Sequence, residues 1–234
     1  VMLTSKWFEK RGLIVSCQAL PDEPLYSGDT MTKMAKAAEM AGAIGIRTNG
    51  EEDIRRIKQA VNLPVIGLIK RVIPDSAIFI TPTLEEVKAI IEAGADIVAL
   101  DVTERENRLE QVNLLIDYAH EQGVGVMADI STLEEGLAAE RLGVDLIGTT
   151  LSGYTPYSPQ QEKPDFLLIE RLSELVKVPV VAEGRIWTPD EAARALEAGA
   201  TYVVVGSAIT RPQLITQKYM QALTKYSNRN TEIK

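Results

Sequence analysis

One supersecondary unit recurs along this 234-residue chain: an amphipathic helix, a glycine, and then a short apolar strand ending in a polar residue. Three of the helix-to-strand joints are nearly the same text: EAGADIVAL at 92–100, RLGVDLIGT at 141–149 and EAGATYVVV at 197–205. Such an echo marks a repeated unit that buries its apolar face only by packing on its neighbours. The strands read as unbroken apolar runs without alternation, the pattern of parallel strands covered on both faces. They span Leu13–Gln18, Ala43–Thr48, Pro64–Lys70, Asp96–Asp101, Gly125–Asp129, Asp145–Thr149, Pro179–Ala182 and Tyr202–Val205. Helical periodicity fills the gaps at Thr30–Ala41, Glu51–Ala60, Leu84–Ala93, Leu109–Gln122, Leu133–Leu142 and Pro164–Val176. A seventh helix enters through Thr188-Pro189-Asp190-Glu191, with Thr188 as N-cap, and stops at Gly199. Eight such units could close into a barrel or open into a doubly wound sheet; about 210 residues for eight units favours the closed (β/α)8 TIM barrel. We expect one domain over 1–234, with 1–11 as an N-terminal extension or helix.

Composition narrows the chemistry. The net charge of −8 argues against nucleic acid and membrane surfaces as partners. No run approaches the roughly 20 apolar residues of a membrane span, and VMLTSKWFEKRG lacks the apolar centre of a signal peptide. With one cysteine, a cytoplasmic enzyme is expected. The single histidine, His120, falls at a helix C-terminus, where the helix dipole favours it on the surface. There is no second histidine for a Ser-His-Asp triad or a His-rich metal centre, and no dinucleotide or Walker A fingerprint. Acid–base work therefore falls to Lys, Glu, Asp, Tyr or Cys, with no cofactor and no metal expected.

Polar residues close almost every apolar run: Gln18, Arg47 with Thr48, Lys70, Asp101, Asp129, Thr149 and Glu183. In a barrel these ends converge on one mouth. Lys70 has the parity of Ile66 and Leu68, so the three project to one side; if that side is the barrel interior, the ammonium emerges at the top centre of the mouth. There, burial and the neighbouring Arg47 and Arg71 would lower its pKa and fit it for proton transfer or a Schiff base. Glu183 stands four strands away, across the barrel; its alternative is an ion pair with Arg185 or a strand cation. Gln18, Arg47 and Asp129 are candidate hydrogen-bonding groups for a substrate, and Asp101 either joins them or caps its own loop. The glycine-containing loops Gly184-Arg185 and Gly206-Ser207 follow strands seven and eight, where such barrels bind phosphate, and Arg211 lies beside the second. Tyr154 and Tyr157 sit in a long loop that could cover the site. Cys17 has the opposite parity to Gln18 and is expected as a buried small hydrophobe. Trp7 and Trp187 are expected to pack on helices.

GLIVSCQ at 12–18, GIRTN at 45–49, PVIGLIKR at 64–71, MADI at 127–130, IGTTLSGYT at 147–155, VVAEGRI at 180–186 and VGSAITRP at 205–212 occur in this order. Together they closely resemble the N-acetylmannosamine-6-phosphate 2-epimerase family, over nearly the whole chain from Gly12. The resemblance implies a barrel of the ribulose-phosphate-binding type. It also implies interconversion of N-acetylmannosamine 6-phosphate and N-acetylglucosamine 6-phosphate in sialic acid breakdown, without nicotinamide or metal. It puts the family's catalytic lysine at Lys70 and its glutamate at Glu183, substrate positions at Gln18, Arg47 and Asp129, and a phosphate contact at Arg211. Two loops depart from the family pattern. Val72 stands where an acidic residue is common, and ALDVTERENR at 99–108 lacks the usual small residue and proline-rich segment.

The expectation is thus an isomerase acting at carbon 2 of a phosphorylated amino sugar, with a homodimer as candidate assembly. The substrate-site set is Gln18, Arg47, Asp129, Tyr154, Gly184, Arg185, Gly206, Ser207 and Arg211 around Lys70 and Glu183. The alternatives are a Schiff-base lyase acting on a sugar phosphate through Lys70, and a barrel that binds phosphosugars without turnover.

Overall fold

The computed structural model describes residues 5–231. Among these, eight parallel strands close into a barrel in sequence order. They are β1 Gly12–Cys17, β2 Gly45–Asn49, β3 Val65–Leu68, β4 Ile97–Asp101, β5 Gly125–Asp129, β6 Leu146–Gly148, β7 Val180–Glu183 and β8 Tyr202–Val205. The helices are α1 Thr30–Met40, α2 Glu51–Ala60, α3 Leu84–Glu92, α4 Arg108–Glu121, α5 Leu133–Arg141, α6 Phe166–Leu175, α7 Pro189–Glu197, the short α8 Ser207–Thr210 and the long α9 Pro212–Thr231. The (β/α)8 expectation holds.

Strand parity sorts the apolar residues into two cores. Ile14, Ile66, Leu68, Ile97, Ala99, Met127, Leu146, Val181 and Val204 fill the barrel interior. Their neighbours Val15, Cys17, Ile46, Val65, Val98, Leu100, Val126, Ile147 and Val203 meet the surrounding helices. Both sets are almost fully buried, as a parallel sheet under helices requires. Cys17 lies in the outer set, and burial pushes its thiol up to about 12.

The repeated joint has a physical cause. Gly94, Gly143 and Gly199 end α3, α5 and α7 at φ of 97°, 89° and 105°, a left-handed backbone that favours glycine. At the first two joints the aspartate two residues on then ties the new strand to its neighbour, whereas the third has Thr201 there. Asp96 accepts from the Val65 amide and Asp145 from the Val126 amide, each at 2.8 Å. Asp145 also holds His120, which is partly exposed as expected. Complete capping boxes start α3 (Thr83 and Glu86), α5 (Thr132 and Glu135) and α7 (Thr188 and Glu191), and all three share the Thr-x-x-Glu spelling noted for the last.

The lower end of the barrel corrects one expectation. Of the 1–11 segment, expected as an extension or a helix, residues 1–4 lie outside the described residues; residues 5–11 are irregular and carry Trp7 and Phe8 against the interior core. Phe8 packs on Tyr202 with ring centroids 4.9 Å apart. A side chain at Gly125 would meet the Trp7 ring at 2.3 Å, so that strand must begin with glycine. Trp7 thus plugs the barrel floor instead of packing on helices.

Candidate active site

The inward parity that fills the barrel with aliphatic residues ends, at the C-terminal mouth, in polar ones. A cavity of 440 Å³ opens there. Ser16, Gln18, Lys70, Thr150, Tyr154, Glu183, Gly184, Arg185, Gly206, Ser207 and Arg211 line it, with Phe79, Ile80, Trp187 and Leu214 as apolar walls. Of the expected set, Arg47 and Asp129 do not line the cavity but lie beneath its floor, 1% and 0% exposed.

β3 ends at Leu68, so Lys70 stands just beyond the strand. Its amide donates to Asn49 Oδ1 at 2.8 Å, and it forms an antiparallel bridge with Ile80. Burial lowers its pKa from 10.5 to about 8, helped by Arg47 and Arg211 against the pull of Glu183 and Asp129. The expected neighbour Arg71 plays no part. It turns outward, and its Nε meets Glu86 Oε1 at 2.5 Å.

Glu183 closes β7. Its ion-pair partner is the strand cation Arg47, not Arg185. Arg47 Nε faces Glu183 Oε1 at 3.3 Å, a charge contact without hydrogen-bond alignment. Arg47 Nη2 donates to Asp129 Oδ2 at 2.6 Å. Thr150 Oγ1 donates to Asp129 Oδ1 at 2.7 Å and lies 3.3 Å from Glu183 Oε2. Burial pushes the Glu183 carboxyl up to about 7; Arg47 opposes this and Asp129 adds to it. The Arg47 guanidinium keeps its charge, because Asp129 and Glu183 outweigh the cost of burying it. A group near 7 and a group near 8 thus face one cavity, the range in which an acid and a base serve proton transfer at neutral pH.

At the other side, Gly184 and Arg185 follow β7 with φ of 109° and 59°. Arg185 Nη1 donates to Ser152 O at 2.7 Å, and its guanidinium lies 4.9 Å from the Tyr154 ring. Gly206 and Ser207 open α8 beneath Arg211, whose Nη1 donates to Ser207 Oγ at 3.1 Å. Gln18 donates through Nε2 to Ser16 Oγ at 2.8 Å, and among the described residues no donor reaches its buried Oε1. Among the described residues, no three His, Cys, Asp or Glu side chains gather as metal ligands.

Two aromatic expectations change. Trp187 lines the cavity, with the Lys218 ammonium 4.1 Å from its ring centroid. Tyr157 turns instead to Glu135, which its hydroxyl bonds, and burial pushes it up to about 12. Asp101 takes the loop-capping role: it accepts from the Thr103 amide at 3.0 Å and pairs with Arg105. Ser16, Thr150 and Phe79 line the cavity without having been expected there, and Glu23, in the loop after β1, pairs with Arg211. Ser16 shares the parity of Gln18, and Thr150 follows the strand-ending Thr149, so both carried a readable signal. Glu23 and Phe79 lie in irregular loops and carried none.

The family model described as "NanE: Putative N-acetylmannosamine-6-phosphate epimerase" matches residues 31–225. The chain belongs to this family. A Caldanaerobacter subterraneus relative named "Putative N-acetylmannosamine-6-phosphate 2-epimerase" is 57% identical over 224 residues, which cover 94% of each chain. The solved structure of the N-acetylmannosamine-6-phosphate 2-epimerase from Clostridium perfringens superposes with a TM-score of 0.87 at 52% identity, covering 90% of this chain and 92% of that one. The deoxyribose phosphate aldolase from Aeropyrum pernix shares the fold alone, with a TM-score of 0.65 and 18% identity over 85% of this chain and 86% of its own. Within this chain, the two departing loops sit differently. Val72 is 84% exposed, whereas Val102 is fully buried with its amide on Asp129 O at 2.9 Å. Glu106 bonds Ser76 Oγ and the Ala77 amide, joining the 102–107 segment to the loop that carries Phe79. Among the described residues no helix is long and apolar enough to cross a membrane.

Proposed function

We propose that the protein converts N-acetylmannosamine 6-phosphate to N-acetylglucosamine 6-phosphate by moving the proton on carbon 2, with Lys70 and Glu183 as the acid–base groups. In the open-chain sugar, the carbonyl at carbon 1 acidifies that proton. A base removes it, the electron pair shifts onto the carbonyl oxygen, and a proton returned to the opposite face inverts the centre. The observation that carries this reading is that Lys70, just past β3, and Glu183, at the end of β7, line one cavity; burial there lowers the lysine pKa and raises the glutamate pKa. Lys70 moves the carbon 2 proton. Glu183, backed by Arg47 and Thr150, is its counterpart or hands a proton to oxygen 1 during ring opening. Gln18 Oε1 accepts from a substrate N–H or O–H. Arg47 and Asp129 set the charge and position of Glu183 from below, since neither lines the cavity. Arg211, Ser207, Gly206, Gly184 and Arg185 form the phosphate end, supported by two guanidinium groups and the first turn of α8. Tyr154 supports Arg185 from its outer side.

The reading includes one domain over 1–234, a cytoplasmic setting and a homodimer, the last supported by the exposed Tyr219, Met220 and Tyr226 of α9. The test is to incubate the purified chain with N-acetylmannosamine 6-phosphate and follow the sugar signals by NMR. Signals of N-acetylglucosamine 6-phosphate should grow to equilibrium; a substrate that stays unchanged, or one cleaved into smaller sugars, refutes the proposal.

A further inference from the structure

The phosphate end of the cavity holds a carboxylate that an anion site would not be expected to contain. Glu23, in the loop after β1, takes Arg211 Nε on Oε1 at 2.6 Å and Nη2 on Oε2 at 3.0 Å. Gln213 Nε2 donates to Oε1 at 3.1 Å and the Leu20 amide to Oε2 at 2.7 Å. Four donors from three residues, two of them at the far end of the chain, therefore fix this carboxylate. It lies close enough to Lys70 and Arg211 for both cations to help hold it ionised, although its partial burial works against the charge.

Two roles are open to such a group. It could occupy the anion's place and be displaced, or it could hold the arginine for the anion. The guanidinium geometry separates them. Arginine has five N–H donors in a rigid plane. Glu23 uses the side edge, Nε and Nη2, and Ser207 Oγ uses one hydrogen of Nη1. One N–H remains on each of Nη1 and Nη2. Because Ser207 Oγ accepts from Arg211, its own hydroxyl hydrogen is free to turn to the same ligand. The arginine can thus offer two donors to a phosphate while Glu23 stays in place.

We propose that Glu23 is a positioning residue: it locks the Arg211 guanidinium so that its remaining N–H groups, together with the Ser207 hydroxyl, recognise the substrate phosphate. This rests on the reading of Arg211 as a phosphate contact. An unheld arginine would have to lose its side-chain freedom on each binding event, a cost that pre-organisation removes. The carboxylate also offsets the mutual repulsion of Arg211 and Lys70 across the cavity.

The test uses the full chain with Glu23→Ala, Glu23→Gln and Arg211→Ala, measuring steady-state kinetics on N-acetylmannosamine 6-phosphate and competitive inhibition by inorganic phosphate. Glu23→Ala should raise both KM and the phosphate inhibition constant about ten-fold, the loss of roughly one charge-assisted bond, while kcat stays within about three-fold. Glu23→Gln, which keeps one acceptor for the arginine, should fall between. Adding Glu23→Ala to Arg211→Ala should cost nothing further. Tighter phosphate binding in Glu23→Ala would overturn the proposal by showing that Glu23 competes with the anion. A fall in kcat with KM unchanged, or no change in either, would overturn it as well. If Arg211→Ala itself leaves phosphate inhibition unchanged, the phosphate reading of the site fails and takes this proposal with it.

Discussion

Lys70→Met separates what the site does from what it costs. The ammonium sits on the cavity with its pKa lowered from 10.5 to about 8, burial being the main cause. At about 1.4 kcal/mol for each factor of ten in the proton equilibrium, keeping it charged costs the fold about 3 kcal/mol at pH 7. The sign follows from linkage. The folded protein holds this proton less tightly than the unfolded chain does, so the penalty is full below pH 8 and vanishes as the pH rises through 10.5. Methionine matches the length of the lysine stem and carries no charge. Glu183, already near 7, can take up a proton when its cationic neighbour is gone. The variant should therefore lose about 10²–10⁴-fold in turnover, the usual worth of one acid–base group, and yet gain up to about 3 kcal/mol in stability. For a chain of this size each kcal/mol is worth roughly 2–4 °C in Tm. Urea melts of both proteins at one concentration, run at pH 7, 9 and 10.5, measure this. The gap should be largest at pH 7 and close by 10.5. A variant no more stable than the wild type at pH 7, or a gap that does not depend on pH, would refute the assigned burial of Lys70.

Two further outcomes follow from the same groups. kcat/KM should trace a bell with apparent limbs near 7 and 8: activity rises as the lower group loses its proton and falls as the upper one does, whichever residue acts as base. A profile flat from pH 6 to 9 would contradict the pair. Arg47→Met strands Asp129, fully buried, with Thr150 as its remaining side-chain partner. Removing one member of a buried ion set costs about 3–5 kcal/mol, so the urea midpoint should drop sharply along with activity; a loss below about 1 kcal/mol would show that the cluster is not the support of Glu183.

The barrel was legible because its evidence is periodic. Unbroken apolar runs, glycine-terminated helices and the echoed joint each report local physics that survives folding unchanged. Lys70 was legible because parity along its apolar run gave the side it shares with Ile66 and Leu68, and Glu183 because it ends the seventh run across the barrel. Other features depended on distances that parity does not encode. Arg47 and Asp129 both point inward, yet they bind each other under the floor instead of opening on the cavity. Arg71 was counted as a neighbour of Lys70, but adjacent residues face opposite ways and it found Glu86 instead. Trp7 and Trp187 lie outside regular elements, where no period assigns a face; one became the plug and the other a wall of the cavity. Glu23 was beyond sequence reasoning altogether, because its meaning lies in Arg211, at the other end of the chain.

The central claim is that carbon 2 inverts by loss and return of its proton. Running the epimerisation of N-acetylmannosamine 6-phosphate in heavy water and reading carbon 2 of the N-acetylglucosamine 6-phosphate by NMR tests it most directly. Over many turnovers deuterium should accumulate at that carbon. If Glu183 delivers the returning proton, the product should be almost fully labelled from the first turnover; if Lys70 alone shuttles it, early product should keep part of the original hydrogen. Product that carries no deuterium at carbon 2 after many turnovers would contradict the account.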